Sequence, residues 1–222
     1  GTTDVSTTVV NVPDPLRLDL RFGKDAIVDA SNSSVTISMS DTPFDANADD
    51  GAYHVTSDSW VKVSAGGNAL ASLDFMTISF GLKRDSADGG YGDIGRAHGD
   101  WYLSLNNNGE IVANMENDSG AWTKLTTVGA GINDTDWHAV SVAIDGVAGV
   151  LSIIVDGSVV GTAAFSGKTP ATTSTLYIGN PFGASFHGQI RGFEIRSDRQ
   201  DADSGFVRHS ELMQGQTFAL VS

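Results

Sequence analysis

The most constraining feature of this chain is an alternation of apolar and polar residues that recurs along most of its length. Near the start, Leu18, Leu20 and Phe22 alternate with charged residues, and further on Ile78 and Phe80 alternate with small polar ones. Successive side chains of a β-strand point to opposite faces, so each run describes a strand with one buried and one exposed face. Further runs lie at 35–39, 101–105, 111–115, 140–144, 151–155, 176–178 and 190–195. The pattern predicts an all-β chain, with a short helix only at 204–214.

Turn sequences separate these runs. Two Asp-Gly pairs, at 145–146 and 156–157, favour tight hairpin turns, and Asn-, Asp- or Ser-containing turns that end in Gly lie at 106–109 and 118–120. Strands joined in this way pair antiparallel, and strands with one apolar face must cover it. The sequence therefore predicts two antiparallel sheets packed face to face.

The phase of the alternation also predicts a bulge and a core. The apolar positions change parity between Ile190 and Phe193, so one extra residue must be absorbed near Gly192, as in a β-bulge. We expect a core made of Leu20, Phe22, Ile78, Phe80, Leu103, Val142, Ile144, Ile153, Val155, Ile178 and Ile195.

Charge and composition exclude several classes of partner. The 222 residues include 27 Asp and Glu against 13 Lys and Arg, a formal net charge of −14. This balance disfavours nucleic acid and anionic membranes, because binding phosphates requires a basic face. No apolar run is long enough to insert in a membrane. The absence of Cys excludes disulfides and thiolate metal sites.

Acidic, Cys-free chains rich in Gly, Asp and Thr are common among large bacterial surface proteins. We therefore expect an extracellular or cell-surface location, with a virion as the alternative.

Four segments in the second half of the chain follow one another in a recognisable order: 136–142 (DWHAVSV), 151–157 (LSIIVDG), 176–179 (LYIG) and 186–195 (FHGQIRGFEI). They resemble the patterns W-H-x-V-x-V, L-x-x-Y-V-D-G, L-x-I-G and F-x-G-x-I-D-D-V-x-I of laminin-G-like domains. Weaker matches lie at 18–22, 28–31 and 75–80, so the resemblance spans 16–197. Arg191 and Gly192 replace the Asp pair of the last pattern.

This resemblance implies a concanavalin A-like, laminin-G-like jelly-roll β-sandwich of two antiparallel sheets. We expect residues 15–222 to form this single domain. The segment 1–14, with Pro13 near its end, is predicted to be a linker or an edge strand.

A long Gly-rich stretch at 83–100 contains the first candidate site. Oxygen ligands from Asp85, Asp88 and Asp93 on a flexible backbone can surround a Ca²⁺ ion. A loop of this length is usually functional or mobile, so a metal-free surface loop is the alternative. Related sandwiches hold a structural ion near their first turn, which makes Asp25 and Asp29 the second choice.

Aromatic and polar side chains are the candidates for ligand binding. Tyr91 and Trp101 can stack on a sugar ring or a peptide, and Arg96 and His98 lie in the same stretch. Two further aromatic residues are candidates in other loops, or else pack against the edge of the sandwich: Trp122 and Phe182.

Catalytic signatures are missing. The E-x-D-x-E triplet of related glucan hydrolases, the G-x-S-x-G elbow and a thiol nucleophile do not occur. We therefore expect no enzyme, but a non-catalytic module that binds a carbohydrate or cell-surface polymer through its loops, within a secreted or surface-anchored bacterial protein. The alternatives are a structural or attachment domain of a phage virion or adhesin, and a polysaccharide-active enzyme.

Overall fold

The computed structural model describes residues 16–22, 27–29, 31, 35–40, 51–56, 59–65, 72–86, 92–97, 99–129, 131–170, 175–183 and 186–198. These residues form fifteen strands and no helix. The strands are β1 (Leu16–Phe22), β2 (Ile27–Asp29), β3 (Val35–Met39), β4 (Ala52–Val55), β5 (Trp60–Ala65), β6 (Phe75–Arg84), β7 (Gly92–Ala97), β8 (Trp101–Leu105), β9 (Ile111–Glu116), β10 (Trp122–Thr126), β11 (His138–Asp145), β12 (Val150–Val155), β13 (Ser158–Ala164), β14 (Leu176–Gly179) and β15 (Gly188–Arg196). The linker predicted at 1–14 and the helix predicted at 204–214 lie outside the described residues.

The strands form two sheets in which every pairing is antiparallel. The first sheet has the order β13-β12-β11-β6-β15-β1-β2, and β4 pairs with β15 beside β1. The second has the order β10-β9-β8-β7-β14-β5-β3. The predicted sandwich of two antiparallel sheets is confirmed. Within the described ranges, no helix could span a membrane.

The core lies between the two sheets and contains the apolar residues of the alternating runs. The rings of Phe80 and Phe193 stack at 5.7 Å between centroids. All the predicted core residues are buried except Val155, which is half-buried. The register of β12 against β13 shifts between Ile153 and Ile154, so the strict alternation ends just before Val155.

The predictions of a tight turn at 156–157 and of a bulge near Gly192 are also confirmed. Asp156 and Gly157 both have positive φ, 51° and 76°, as the tightest hairpin turn requires. The register of β15 against β6 shifts between Arg191 and Glu194, and Gly192 has a φ of 51°. The extra residue of the last pattern is therefore absorbed at this glycine.

The prediction of one long loop at 83–100 was wrong, because residues 83–84 belong to β6 and residues 92–97 form the strand β7. This strand occupies the centre of the second sheet, between β8 and β14. The glycines of β7 interrupt the alternation of apolar and polar residues that marks the other strands. At Gly95, the packing explains why a larger residue is absent. A Cβ at Gly95 would lie 3.2 Å from the carbonyl oxygen of Tyr177 and 3.7 Å from the ring of Phe193. Gly95 makes room for that ring in the core.

Candidate functional site

The outer face of the second sheet carries one continuous row of cross-strand neighbours, which we call the central row. The row crosses all seven strands in the order Ser38, Lys62, Tyr177, Arg96, Tyr102, Asn114 and Lys124. Adjacent residues along the same strands, such as Val61, Leu103 and Ala113, are buried in the core, so the central row faces away from it. With strands about 4.8 Å apart, the row is about 29 Å long.

Arg96 stands in the middle of the central row. Its Nη1 atom lies 3.4 Å from Oδ2 of Asp93 and 3.5 Å from Oδ1 of Asn180, both longer than a typical hydrogen bond. Its Nε atom is covered by its surroundings and has no hydrogen-bond partner among the residues that the structure describes. Arg96 therefore forms an ion pair with Asp93, but its hydrogen bonds to Asp93 and Asn180 are long.

Asp93 and Asn180 form the support beneath this arginine. The amide Nδ2 of Asn180 donates to Oδ2 of Asp93 over 2.9 Å, and the backbone N–H of Phe182 donates to Oδ1 of Asn180. Burial raises the pKa of Asp93 and the nearby charge of Arg96 opposes that rise. These contacts fix the start of β7 and the loop after β14 against each other.

Aromatic rings flank Arg96 on both sides. On one side, Tyr177 makes edge contacts with Trp60 at 6.1 Å and with Phe182 at 5.5 Å. On the other side, Tyr102 packs against Trp122 at 5.9 Å and accepts a hydrogen bond from Nδ2 of Asn114.

Two of these aromatic side chains are strongly exposed, with Phe182 at 65% and Trp122 at 47%. The guanidinium of Arg96 lies 5.8 Å from the ring of Phe182. The face thus offers exposed apolar rings beside polar and cationic groups, which is the composition of a site for an amphipathic ligand.

The structure brings some of the predicted ligand-binding residues together. Arg96 and Phe182 are in contact, and Trp122 lies on the same face toward its other end. Trp101 is only 4% exposed and belongs to the core, so it offers no surface for stacking. Tyr91 and His98 lie outside the described residues.

The prediction missed three aromatic residues of this face: Trp60, Tyr102 and Tyr177. The alternation carries the signal that identifies them. Tyr102 and Tyr177 stand at the outward positions of strands whose inward positions are apolar, and a tyrosine at such a position is available to a ligand.

The predicted metal ligands have other partners. Oδ2 of Asp85 lies 2.7 Å from Nε2 of His54, and Asp93 contacts Asn180 and Arg96. Among the described residues, no group of three or more His, Cys, Asp or Glu side chains is arranged to hold a metal ion. Asp25 and Asp88 lie outside the described residues, and of Asp29 only the backbone pairing with β1 is described.

Comparison with solved structures shows the same fold in toxin binding domains. The chain is similar to the botulinum neurotoxin serotype D binding domain, with a TM-score of 0.73 and 16% identity over 89% of this chain and 51% of that one. It is also similar to the serotype D ligand binding domain in complex with N-acetylneuraminic acid (0.71, 17%, 89% and 51%) and to the serotype G binding domain (0.72, 12%, 88% and 51%). The chain spans about half the length of these domains.

Comparison by sequence defines the family. Comparison with curated proteins gives no match. A laminin-G family model, described as concanavalin A-like lectin/glucanases superfamily, matches residues 31–199, which is more than half of the chain. The two-sheet architecture agrees with that match. The chain therefore belongs to the concanavalin A-like lectin/glucanases superfamily.

Proposed function

We propose that this chain is a non-catalytic carbohydrate-binding module that holds a surface polysaccharide across the outer face of its second sheet. The observation that carries the proposal is the central row with its flanking rings, where Phe182 and Trp122 expose large apolar surfaces. Exposed aromatic side chains beside fixed polar groups are typical of binding sites. The sheet face, rather than the loops alone, is the surface that we assign to the ligand.

The shape of this face suits a chain-like ligand. The central row extends about 29 Å across the strands, and its aromatic groups stand on both sides of Arg96 rather than around one pocket. A sugar ring presents apolar C–H groups on its faces and hydroxyl groups on its edge. Rings such as Trp122 and Phe182 can cover the faces, while the exposed Ser38 and Lys124 can bond the edges.

The comparisons support a module that works outside the cell. The similar solved structures are described as binding domains of toxins, and one of them holds N-acetylneuraminic acid. A secreted or surface-anchored parent protein agrees with this likeness and with the acidic, Cys-free composition.

The chemistry of the central row supports binding rather than hydrolysis. A retaining glycosidase needs two carboxyl groups about 5 Å apart beside the scissile bond. The seven residues of the central row include no carboxylate, and Asp93 next to it is held by Asn180 and Arg96. An attachment domain with no glycan ligand remains the second candidate, and the experiment below distinguishes the two.

The test is binding of the purified chain to an array of polysaccharides. The double variant Trp122→Ala and Phe182→Ala removes the two exposed rings, and we expect its affinity for any bound glycan to fall at least tenfold, equivalent to about 1.4 kcal/mol. Val147→Ala removes an exposed apolar residue from the β11–β12 turn and should leave affinity unchanged. Binding of no glycan, or equal binding by the double variant, would contradict the proposal, and release of new reducing ends would indicate an enzyme.

A further inference from the structure

We infer that the polysaccharide held on this face is anionic, and that Arg96, Lys62 and Lys124 recognise its acidic groups. This inference rests on the proposed function and adds the chemical class of the ligand. The central row contains these three cations and no acidic residue, although acidic residues outnumber basic ones by 27 to 13 in the chain. A basic row on an acidic protein is a local feature that its net charge conceals.

The spacing of the three cations favours a ligand with repeated charges. Lys62 and Arg96 are two strands apart, about 10 Å, and Arg96 and Lys124 are three strands apart, about 14 Å. One small anion cannot reach all three. A polymer whose sugar rings carry carboxylate or sulfate groups along its length can place one group at each position while its rings contact Tyr177 and Tyr102.

The contacts of Arg96 favour an acidic group of the ligand at the middle of the central row. Its two contacts through Nη1, with Asp93 at 3.4 Å and with Asn180 at 3.5 Å, are both long. The carboxylate of Asp93 already accepts a shorter bond from Asn180. A guanidinium presents a planar set of donors that fits a carboxylate or sulfate group with two parallel hydrogen bonds. Phe182, 5.8 Å from the guanidinium, can cover the adjoining sugar ring.

The charge density of the ligand must be moderate. Double-stranded DNA carries about one negative charge per 1.7 Å, and such a density meets strong repulsion from a protein of net charge −14. A glycan with one acidic group on every one or two rings requires only a few cations. Nucleic acid is therefore a control and not a candidate.

The experiment compares each acidic polymer with its neutral counterpart. The probes are polygalacturonate, hyaluronan and alginate, each with a carboxyl-reduced form. Affinity is measured at 0.15 M salt. We expect at least one acidic polymer to bind at least tenfold more tightly than its neutral form, and single-stranded DNA to bind no better than the neutral forms.

Variants assign that preference to the central row. Arg96→Gln should reduce the affinity for the acidic polymer at least tenfold, whereas Arg96→Lys should retain part of it. Lys168→Gln removes the same charge from an exposed pair with Asp74 elsewhere and should have no effect. If Arg96→Gln fails to fold, as judged by its circular dichroism and melting curve, the double variant Lys62→Gln and Lys124→Gln carries the test.

The outcomes separate the two proposals. Equal binding of neutral and acidic forms would overturn the anionic class and leave the carbohydrate-binding function. Equal binding of DNA, or no effect of the Arg96 and lysine variants, would also overturn it. Binding of no polymer in either form would overturn the proposed function itself.

Discussion

His138 and Asp156 join the beginning of β11 to the turn after β12. Nδ1 of His138 lies 2.7 Å from Oδ2 of Asp156, and Nε2 lies 2.8 Å from Oδ1 of Asp134. Asp156 also accepts a hydrogen bond from the backbone N–H of Ala139. An imidazole donates from both nitrogens only when it is protonated. This cluster therefore favours the charged form of His138.

The first prediction concerns the pH dependence of stability at His138. Burial alone would lower its pKa, but the hydrogen bonds and charges of Asp134 and Asp156 outweigh that effect and raise it above the usual value. The stabilisation is complete below the pKa of the unfolded chain and is lost as pH rises through the higher pKa of the folded state. His138→Gln should thus lower the free energy of unfolding more at pH 5.5 than at pH 8.5.

Urea denaturation at the two pH values measures this difference. The loss at pH 5.5 should be about 1–3 kcal/mol, as for hydrogen bonds to charged groups. The exposed His187, changed to Gln, is the control and should show little loss at either pH. A loss in His138→Gln that is equal at both pH values would show that the protonated imidazole contributes nothing to stability.

The second prediction concerns the core contributed by the first sheet. Ile153 is fully buried, so Ile153→Ala should reduce the free energy of unfolding by about 2–5 kcal/mol through lost burial and the cavity that remains. Val147→Ala, at a residue 74% exposed, should cost less than about 0.5 kcal/mol. A loss of unfolding free energy below about 1 kcal/mol for Ile153→Ala would mean that Ile153 faces solvent, and that the opposite set of residues in β12 faces the core.

The third prediction concerns the close packing at Gly95. A methyl group there would meet the carbonyl oxygen of Tyr177, which cannot move without shifting β14. Gly95→Ala should cost about 1–3 kcal/mol of stability. At Gly161, a Cβ would meet the end of the flexible Leu125 side chain at 3.3 Å, so Gly161→Ala should cost less. Equal losses in the two variants would argue against a special role for the backbone contact.

The fourth prediction concerns calcium. If the acidic segment at 85–93 binds Ca²⁺, a chelator should lower the melting temperature, because a concentration of ligand a hundredfold above Kd adds about 2.7 kcal/mol of stability. Asp88→Ala should then remove most of that difference. Identical melting curves in calcium and in chelator would exclude the metal. A calcium effect that survives Asp88→Ala would indicate that the ion binds at another site, and Asp25 and Asp29 would then be the first candidates.

The fold was predictable because alternation records which face of a strand is buried. The bulge at Gly192 and the turn at Asp156 and Gly157 followed from parity and from turn chemistry. β7 was missed because glycine carries no hydrophobic signal. A glycine stands at position 95 because the ring of Phe193 occupies the space that a larger side chain would need. The alternation within β7 cannot reveal a contact with a residue so distant in the sequence.

The candidate site was less predictable, because it depends on which strands become neighbours. Trp101 and Tyr102 are adjacent in sequence but point to opposite faces, and only Tyr102 lies on the outer one. Lys62, Arg96 and Lys124 are far apart in the sequence, and the strand order alone brings them into one row. Net charge sums over the whole surface, so it could not reveal this basic row.

The pairing of β1 with β15 has a consequence for how the chain folds. Leu20 lies opposite Phe193. The strand β1, near the beginning of the described chain, therefore cannot form this pairing until β15, near its end, is available. Contacts so distant in sequence slow folding to the millisecond-to-second range. During synthesis on the ribosome, β1 and β6 lack the strand that lies between them until β15 emerges. Their unpaired edges are then open to association with other chains, and this domain should depend on chaperones more than its final stability suggests.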